Sequence, residues 1–142
     1  MINNKEMLES MVKTTRMGQT GLRAVLRSKM EPELKSALTE QLRLYDDLED
    51  EAQALASGRG WKLRKPDSML QNMIEHMTLL KLGKKDHSSR IADMIIQGNT
   101  QGMISSLRDQ HAYEGEDCQV LRLSRKLLAC ETENICQMKP FL

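Results

Sequence analysis

The chain has 142 residues, the length of one domain, and its 21 Lys and Arg nearly balance its 20 Asp and Glu. Because the two signs are interspersed, no long-range field would steer the protein to nucleic acid or to an anionic membrane. Eleven Met accompany one Trp, two Tyr and one Phe, and Val is rare. This composition favours helices, so we expect one all-α domain over residues 1–142.

The three cysteines, Cys118, Cys130 and Cys136, are an odd number with no C-x-x-C spacing and no nearby His pair. This pattern argues against a disulfide framework and against a zinc site, and it predicts free thiols in a reducing compartment. No opening segment resembles a signal peptide, and no stretch approaches the roughly 18 apolar residues of a membrane helix. We therefore expect a cytoplasmic protein that does not enter a membrane.

The first helix is predicted to begin at Asn3 or Asn4 and to end at about 29–30. Pro32 begins a second helix, which should run antiparallel to the first because the connection is short. The glycines of 57–60 end it, and 61–66 is a basic crossover. The apolar stripes are Leu8, Met11, Thr15, Gly18, Leu22 and Leu26 in the first helix and Leu34, Leu38, Gln41, Tyr45, Leu48, Ala52 and Leu55 in the second.

A third helix is predicted from Asp67 or Ser68 to Gly98, either as one long helix with a weak middle near Gly83, which we favour, or as two shorter helices. Asn99 or Thr100 then caps a fourth helix that ends at about Ile135, and the tail 136–142 is expected to be loose or to pack on a neighbour. The stripes are Met73, Met77, Leu80, Lys84, His87, Ile91 and Met94 in the third helix and Met103, Leu107, Gln110, Glu114, Asp117 or Cys118, Leu121 and Leu128 in the fourth. Two helix pairs joined by a crossover predict an antiparallel four-helix bundle.

Gly18 and Gly21 lie inside the first helix, where each glycine costs about 1 kcal/mol relative to Ala. Close packing of a neighbouring helix is the interpretation we favour. The alternative is that the glycine makes room for a ligand or for a polar side chain of a neighbour.

Three short segments carry a family resemblance. Residues 17–22 (MGQTGL) resemble the D-G-x-x-G-Y stretch of an uncharacterised bacterial family of ferritin-like four-helix proteins, a domain-of-unknown-function group. Residues 30–35 (MEPELK) resemble its D-P-E-L-K turn, and residues 114–117 (EGED) its R-G-E-D element. Met17 and Leu22 replace the Asp and Tyr of the pattern, and the long polar stretch after Leu82 is unusual for it. The resemblance implies a ferritin-like bundle and a stress-associated role, without an established activity.

Ferritin-like di-metal sites use a Glu from each of two helices and a Glu-x-x-His from each of the other two. This sequence contains no Glu-x-x-His, and amides are poor substitutes for bridging carboxylates. We therefore predict a hydrogen-bonded polar core layer rather than a cofactor site. The predicted members of the layer are Gln19, Gln41, Tyr45 and Gln119.

The function favoured by these observations is non-catalytic: a structural or partner-binding homo-oligomer, a homodimer or higher, related to stress or sporulation by resemblance. The alternative is a divergent Fe- or Mn-dependent oxidoreductase or iron-handling protein. Its candidate ligands are Glu40, Tyr45, Asp47, His87 and Glu116. A third and weaker hypothesis is a nucleic-acid contact through the basic crossover 61–66, which holds one aromatic residue.

Overall fold

The computed structural model describes residues 1–65 and 87–142, and these residues are mostly helical. The described part of the chain forms four α-helices and a final 3-10 turn, which confirms the all-α class. They are α1 (Asn4–Val25), α2 (Pro32–Gly58), α3 (Ser88–Ala112), α4 (Cys118–Met138) and the turn Lys139–Phe141.

The start of α1 is a capping box. The side chain of Asn3 accepts a hydrogen bond from the Glu6 backbone N–H at 2.9 Å, and the Glu6 carboxylate accepts one from the Asn3 N–H at 3.2 Å. This confirms the prediction of a helix start at Asn3 or Asn4. The helix ends at Val25, a few residues earlier than predicted, because the N–H of Ser28 bonds to Val25 O, three residues back, at 2.9 Å.

The bounds of α2 agree with the sequence. Pro32 lies in its first turn and Gly58 is its last residue. Gly60 then adopts a positive φ of 73°, and the Trp61 N–H donates to Ala56 O at 2.8 Å, which closes the helix end. Trp61, the aromatic residue of the predicted basic crossover, is half-buried and packs against the core.

The predicted boundary between the third and fourth helices is wrong. Helix α3 continues through Asn99 and Thr100, whose side chains donate to the carbonyls of Ile95 (2.9 Å) and Ile96 (2.7 Å) four residues earlier instead of capping a new helix. The break comes at 113–117, after Ala112. There Ile2 pairs with the extended residue Tyr113 through a backbone bridge, and the N–H of Ile2 donates to Ala112 O at 3.0 Å.

Helix α4 begins with its own cap, since the Asp117 side chain accepts a hydrogen bond from the Gln119 N–H at 3.0 Å. It continues beyond the predicted end at Ile135 to Met138, which is fully buried, so the tail is not loose as expected. The predicted third helix runs from Asp67 or Ser68 to Gly98. Its part up to residue 86, including the weak point at Gly83, lies outside the described residues. His87, predicted in the middle of that helix, is the residue before α3.

Residues of all four helices form one apolar core. Contacts between α1 and α2 run in opposite order along the two helices: Arg16 bonds to Glu49 at 2.7 Å, whereas Arg23, further along α1, bonds to Asp46 at 3.4 Å. The core residues are Met7, Leu8, Met11, Val12, Leu22, Val25, Leu34, Leu38, Tyr45, Leu48, Ala52, Ala56, Ile91, Ala92, Ile95, Val120, Leu123, Leu127 and Met138. Among the helices of the described residues, none has the length and apolar character needed to cross a membrane.

Candidate functional site

Four polar side chains meet inside the apolar core, and we call them the polar cluster: Tyr45 from α2, Asn99 from α3, and Glu131 and Asn134 from α4. Their exposed fractions are 3%, 4%, 1% and 1%, respectively. Each belongs to the buried stripe of its helix. Buried polar groups are costly unless they are hydrogen-bonded, so the contacts within the cluster decide what it can do.

The hydroxyl of Tyr45 joins the three helices. Its oxygen lies 2.7 Å from Glu131 Oε2 and 2.8 Å from Asn99 Oδ1. Asn99 Oδ1 also accepts a hydrogen bond from Asn134 Nδ2 at 3.2 Å, and Asn99 Nδ2 donates to the carbonyl of Ile95 at 2.9 Å. These two hydrogen bonds of the side-chain amide fix the orientation of Asn99, with its oxygen toward Tyr45.

Two helix glycines make room for the two largest side chains of the cluster. A Cβ built on Gly18 of α1 would lie 2.5 Å from Tyr45 Cε2 and 2.7 Å from Cζ, closer than carbon atoms can approach. A Cβ built on Gly102 of α3 would overlap the Glu131 carboxyl group. Gly18 therefore agrees with both interpretations of the sequence. It allows close packing of the two helices, and the side chain that packs against it, Tyr45, carries a polar group.

The carboxyl group of Glu131 has no counter-charge within the part of the chain that the structure describes. None of the ion pairs among residues 1–65 and 87–142 involves it. Burial raises the pKa of Glu131 to about 8, although the hydrogen bond with Tyr45 acts in the opposite direction. Burial, together with the negative charge of Glu131, raises the pKa of Tyr45 well above its usual value.

Two glutamines extend the polar region. Gln19 of α1 is buried and its Nε2 donates to the backbone carbonyl of Tyr45 at 3.4 Å, and Gln41 Nε2 donates to Gln137 Oε1 at 3.1 Å. Three of the four predicted members of the polar layer, Gln19, Gln41 and Tyr45, are thus in the core. The fourth, Gln119, is not: it is exposed in the first turn of α4, where its Oε1 accepts from Arg59 at 3.0 Å.

The structure does not bring the five candidate metal ligands together. Glu40 and Asp47 are exposed on α2 and both pair with Arg43. Glu116 is exposed in the connection before α4, and His87 precedes α3, which leaves Tyr45 as the one candidate in the polar cluster. Within the described residues there is no group of three or more His, Cys, Asp or Glu side chains that could hold a metal ion.

Sequence reasoning missed three of the four cluster residues. Asn99 was interpreted as a helix cap, and Glu131 and Asn134 were not considered. A signal for them was available: Leu127, Glu131, Asn134 and Met138 follow the three- and four-residue spacing of one helix face, so two polar residues stand between two apolar residues on a buried stripe.

The groups of the polar cluster can form hydrogen bonds and can bind a proton. One carboxyl group, one phenol and two amides form a set of hydrogen bonds across α2, α3 and α4, in which Asn134 Oδ1 has no donor among the described residues. Such a network can fix the register of helices, because any sliding would leave buried polar groups unpaired. Comparisons of this chain with protein-family models, with curated proteins and with solved structures gave no match.

Proposed function

We propose that this protein is a non-catalytic helical bundle of the ferritin-like kind, antiparallel and with a crossover between α2 and α3, which acts as a structural or partner-binding homo-oligomer. The polar cluster has a structural task in this proposal: it sets the register of α2, α3 and α4. The cytoplasmic location belongs to the same proposal and depends on the sequence alone.

The observation that carries the proposal is the set of donor groups in the cluster. Two metal ions at short range need several carboxylates to compensate their charge, with imidazoles as terminal ligands. The cluster offers a single carboxyl group, Glu131, with a phenol and two amides whose polar atoms bond to one another. These groups suit a hydrogen-bonded layer better than a di-metal centre.

The contacts between helices support the antiparallel arrangement. In the second helix pair, Gln110 near the end of α3 bonds to Ser124 near the start of α4 at 3.1 Å, whereas Asn99 near the middle of α3 bonds to Asn134 near the end of α4. The order of contacts is therefore reversed here, as it is between α1 and α2. Two such antiparallel pairs are the arrangement expected of a ferritin-like bundle.

Elemental analysis tests the non-catalytic part of the proposal. Tag-free protein is incubated with Fe(II) or Mn(II), desalted and analysed alongside Glu131→Gln and, as a control, the exposed Glu133→Gln. We expect no retained metal in any of the three proteins. About two ions per chain, lost in Glu131→Gln and kept in Glu133→Gln, would instead establish the alternative of a metal-dependent oxidoreductase or iron-handling protein.

Self-association has a candidate surface on α3. Ile104 and Leu107 are 37% and 50% exposed and lie three residues apart, on neighbouring parts of the helix surface. Light scattering after gel filtration should give at least twice the chain mass of 16.3 kDa. Leu107→Lys should reduce this mass, whereas Gln53→Lys, an exposed position on α2, should not. A wild-type protein of 16.3 kDa would refute the homo-oligomer.

The proposed link to stress or sporulation depends on the resemblance of 17–22, 30–35 and 114–117 alone. Deletion of the gene should reduce survival of the source cell after heat or oxidative stress, or reduce sporulation. Unchanged survival and sporulation would remove this part of the proposal without affecting the structural part.

A further inference from the structure

We propose that the polar cluster is a proton-binding site: the folded protein holds a proton on Glu131, and release of this proton loosens the hydrogen-bonded contact of α2 with α3. The bundle would then respond to pH through one interior group. This proposal goes beyond a fixed structural layer, and it concerns a group that the sequence analysis did not single out.

The count of protons in the cluster carries the proposal. The hydroxyl of Tyr45 has one proton, yet its oxygen is in hydrogen-bond contact with both Glu131 Oε2 (2.7 Å) and Asn99 Oδ1 (2.8 Å). Asn99 presents its oxygen there, because its nitrogen donates to Ile95 O. Both contacts are satisfied only if the Tyr45 hydroxyl donates to Asn99 and accepts a proton from a neutral Glu131.

The other donors of the cluster cannot replace that proton. Asn99 Nδ2 donates to Ile95 O, and Asn134 Nδ2 donates to Asn99 Oδ1 and to Cys130 Sγ (3.8 Å), so none of these hydrogen bonds places an amide proton between the Tyr45 oxygen and Glu131 or Asn99. Asn134 Oδ1 is itself buried and has no donor among the described residues. A negative charge on Glu131 would therefore leave one of the two Tyr45 contacts without a proton.

The groups that face Glu131 do not stabilise its charged form enough to remove the proton from its carboxyl group. Tyr45 approaches from α2, whereas α3 presents the neutral Asn99 and the glycine Gly102. On α4 the titratable neighbour is Cys130, and Lys126 one turn away is exposed and paired with Glu51 of α2. From α1, Gly18 contacts the Tyr45 ring and contributes no charge.

The electrostatics of the site agree with the proton count. Burial raises the pKa of Glu131 to about 8, and it raises the pKa of Cys130 to about 11. The pKa of Tyr45 is also raised well above its usual value. Of these three groups, Glu131 is thus the one that changes its charge near neutral pH.

Loss of the proton has a defined structural consequence. The Tyr45 hydroxyl must turn its proton from Asn99 to the carboxylate of Glu131, which leaves two acceptor oxygens, those of Tyr45 and Asn99, facing each other. The contact between α2 and α3 is then lost, and an unpaired charge lies against Gly102. We expect this state to open locally more often than the protonated state.

The sign of the pH effect follows from linkage. Glu131 has a higher pKa in the folded protein (about 8) than in the unfolded chain, where a glutamate has its ordinary pKa of 4.5, so the folded state binds the proton more tightly. Its contribution to stability is complete at pH values below 4.5, decreases as pH rises toward about 8, and is then lost. Within this window the equilibrium constant for folding should fall by up to about tenfold per pH unit.

Urea unfolding at pH 5.5, 6.5, 7.5 and 8.5 tests the proposal with three proteins: the wild type, Glu131→Gln, which mimics the neutral carboxyl group, and the exposed Glu133→Gln as a control. The ratio of folding constants, wild type over Glu131→Gln, should fall about tenfold per unit until about pH 8 and then level. Glu133→Gln should follow the wild type. Parallel profiles of wild type and Glu131→Gln would overturn the proposal.

A second measurement does not depend on any variant folding. In wild-type protein with ¹³C-labelled glutamate, one side-chain carboxyl carbon should titrate with a midpoint near 8. Amide hydrogen exchange of α3 around Asn99 should become faster across the same midpoint, beyond the increase that pH itself causes. If no glutamate carboxyl titrates between about pH 7 and 9, the proton is not held on Glu131 and the proposal fails.

Discussion

The contact of Gly18 with the ring of Tyr45 makes a sharp prediction about packing. Gly18→Ala adds one methyl group at a position where three ring atoms of Tyr45 lie 2.5–2.8 Å from the new Cβ. Normal carbon–carbon contacts are about 3.5–4.0 Å, so the ring would have to move by about 1 Å. The ring cannot move freely, because its hydroxyl is held by Glu131 and Asn99 inside the core.

The expected change in the free energy of unfolding for Gly18→Ala is the sum of three contributions. Overpacking a core by one methyl group costs about 1–3 kcal/mol, and weakening one Tyr45 hydrogen bond costs about 1 kcal/mol more. Replacing a helix-interior glycine by alanine returns about 1 kcal/mol. We therefore expect Gly18→Ala to lower the free energy of unfolding by about 1–3 kcal/mol.

Gly98 is the matched control. It lies inside α3, and a Cβ built there meets nothing within 4 Å, so Gly98→Ala should stabilise the protein by about 1 kcal/mol. Urea unfolding followed by circular dichroism measures both variants. In a Tyr45→Leu background, which removes the ring, the loss caused by Gly18→Ala should disappear. An equal gain in both glycine variants, or an equal loss from Gly18→Ala in both backgrounds, would refute the close contact.

Three further predictions concern single groups. Asn3→Ala removes the side-chain cap of α1 and should cost about 1 kcal/mol in urea unfolding, with no loss if the capping box does not form. Tyr45→Phe removes the hydroxyl that contacts both Glu131 and Asn99 inside the core, so it should cost about 1–3 kcal/mol in urea unfolding; unchanged stability would contradict these contacts. Because burial raises the pKa of Cys130 to about 11, its thiol should react with a disulfide reagent only after unfolding, whereas the exposed Cys118 reacts in the native protein.

The first half of the fold could be predicted because its signals are local. A capping residue at Asn3, Pro32 in the first turn of α2 and glycines after the second apolar stripe each act on the nearest turn of backbone. In α1 and α2, moreover, no second face of the helix carries an apolar stripe that competes with the first. Most of their predicted members, including Gln41 and Tyr45, are therefore buried in the structure, as is Gln19, whereas Gly18, Leu26 and Leu55 are half-buried.

The second half was predicted less well because its signals depend on tertiary contacts. Asn99 and Thr100 have the chemistry of helix caps, but their side chains bond backwards within a continuous helix. The real break at 113–117 depends on Ile2, which is distant in sequence and pairs with Tyr113. With the boundary misplaced, the predicted stripe contains Leu121 and Leu128, whereas the structure buries Leu123 and Leu127, and Glu131 is not among the predicted members.

Two glycines, Gly18 and Gly102, and two large polar side chains, Tyr45 and Glu131, form one continuous series of contacts through the interior. Gly18 of α1 receives the ring of Tyr45 from α2, Tyr45 bonds to Glu131 of α4, and the carboxyl group of Glu131 lies against Gly102 of α3. Each helix pair thus supplies one glycine and one polar side chain. The helix propensity lost at each glycine, about 1 kcal/mol, is offset by contacts that exist only when all four helices are in register. A substitution at any of the four positions should therefore couple energetically to the other three, whereas Gly98, with open space around it, should not.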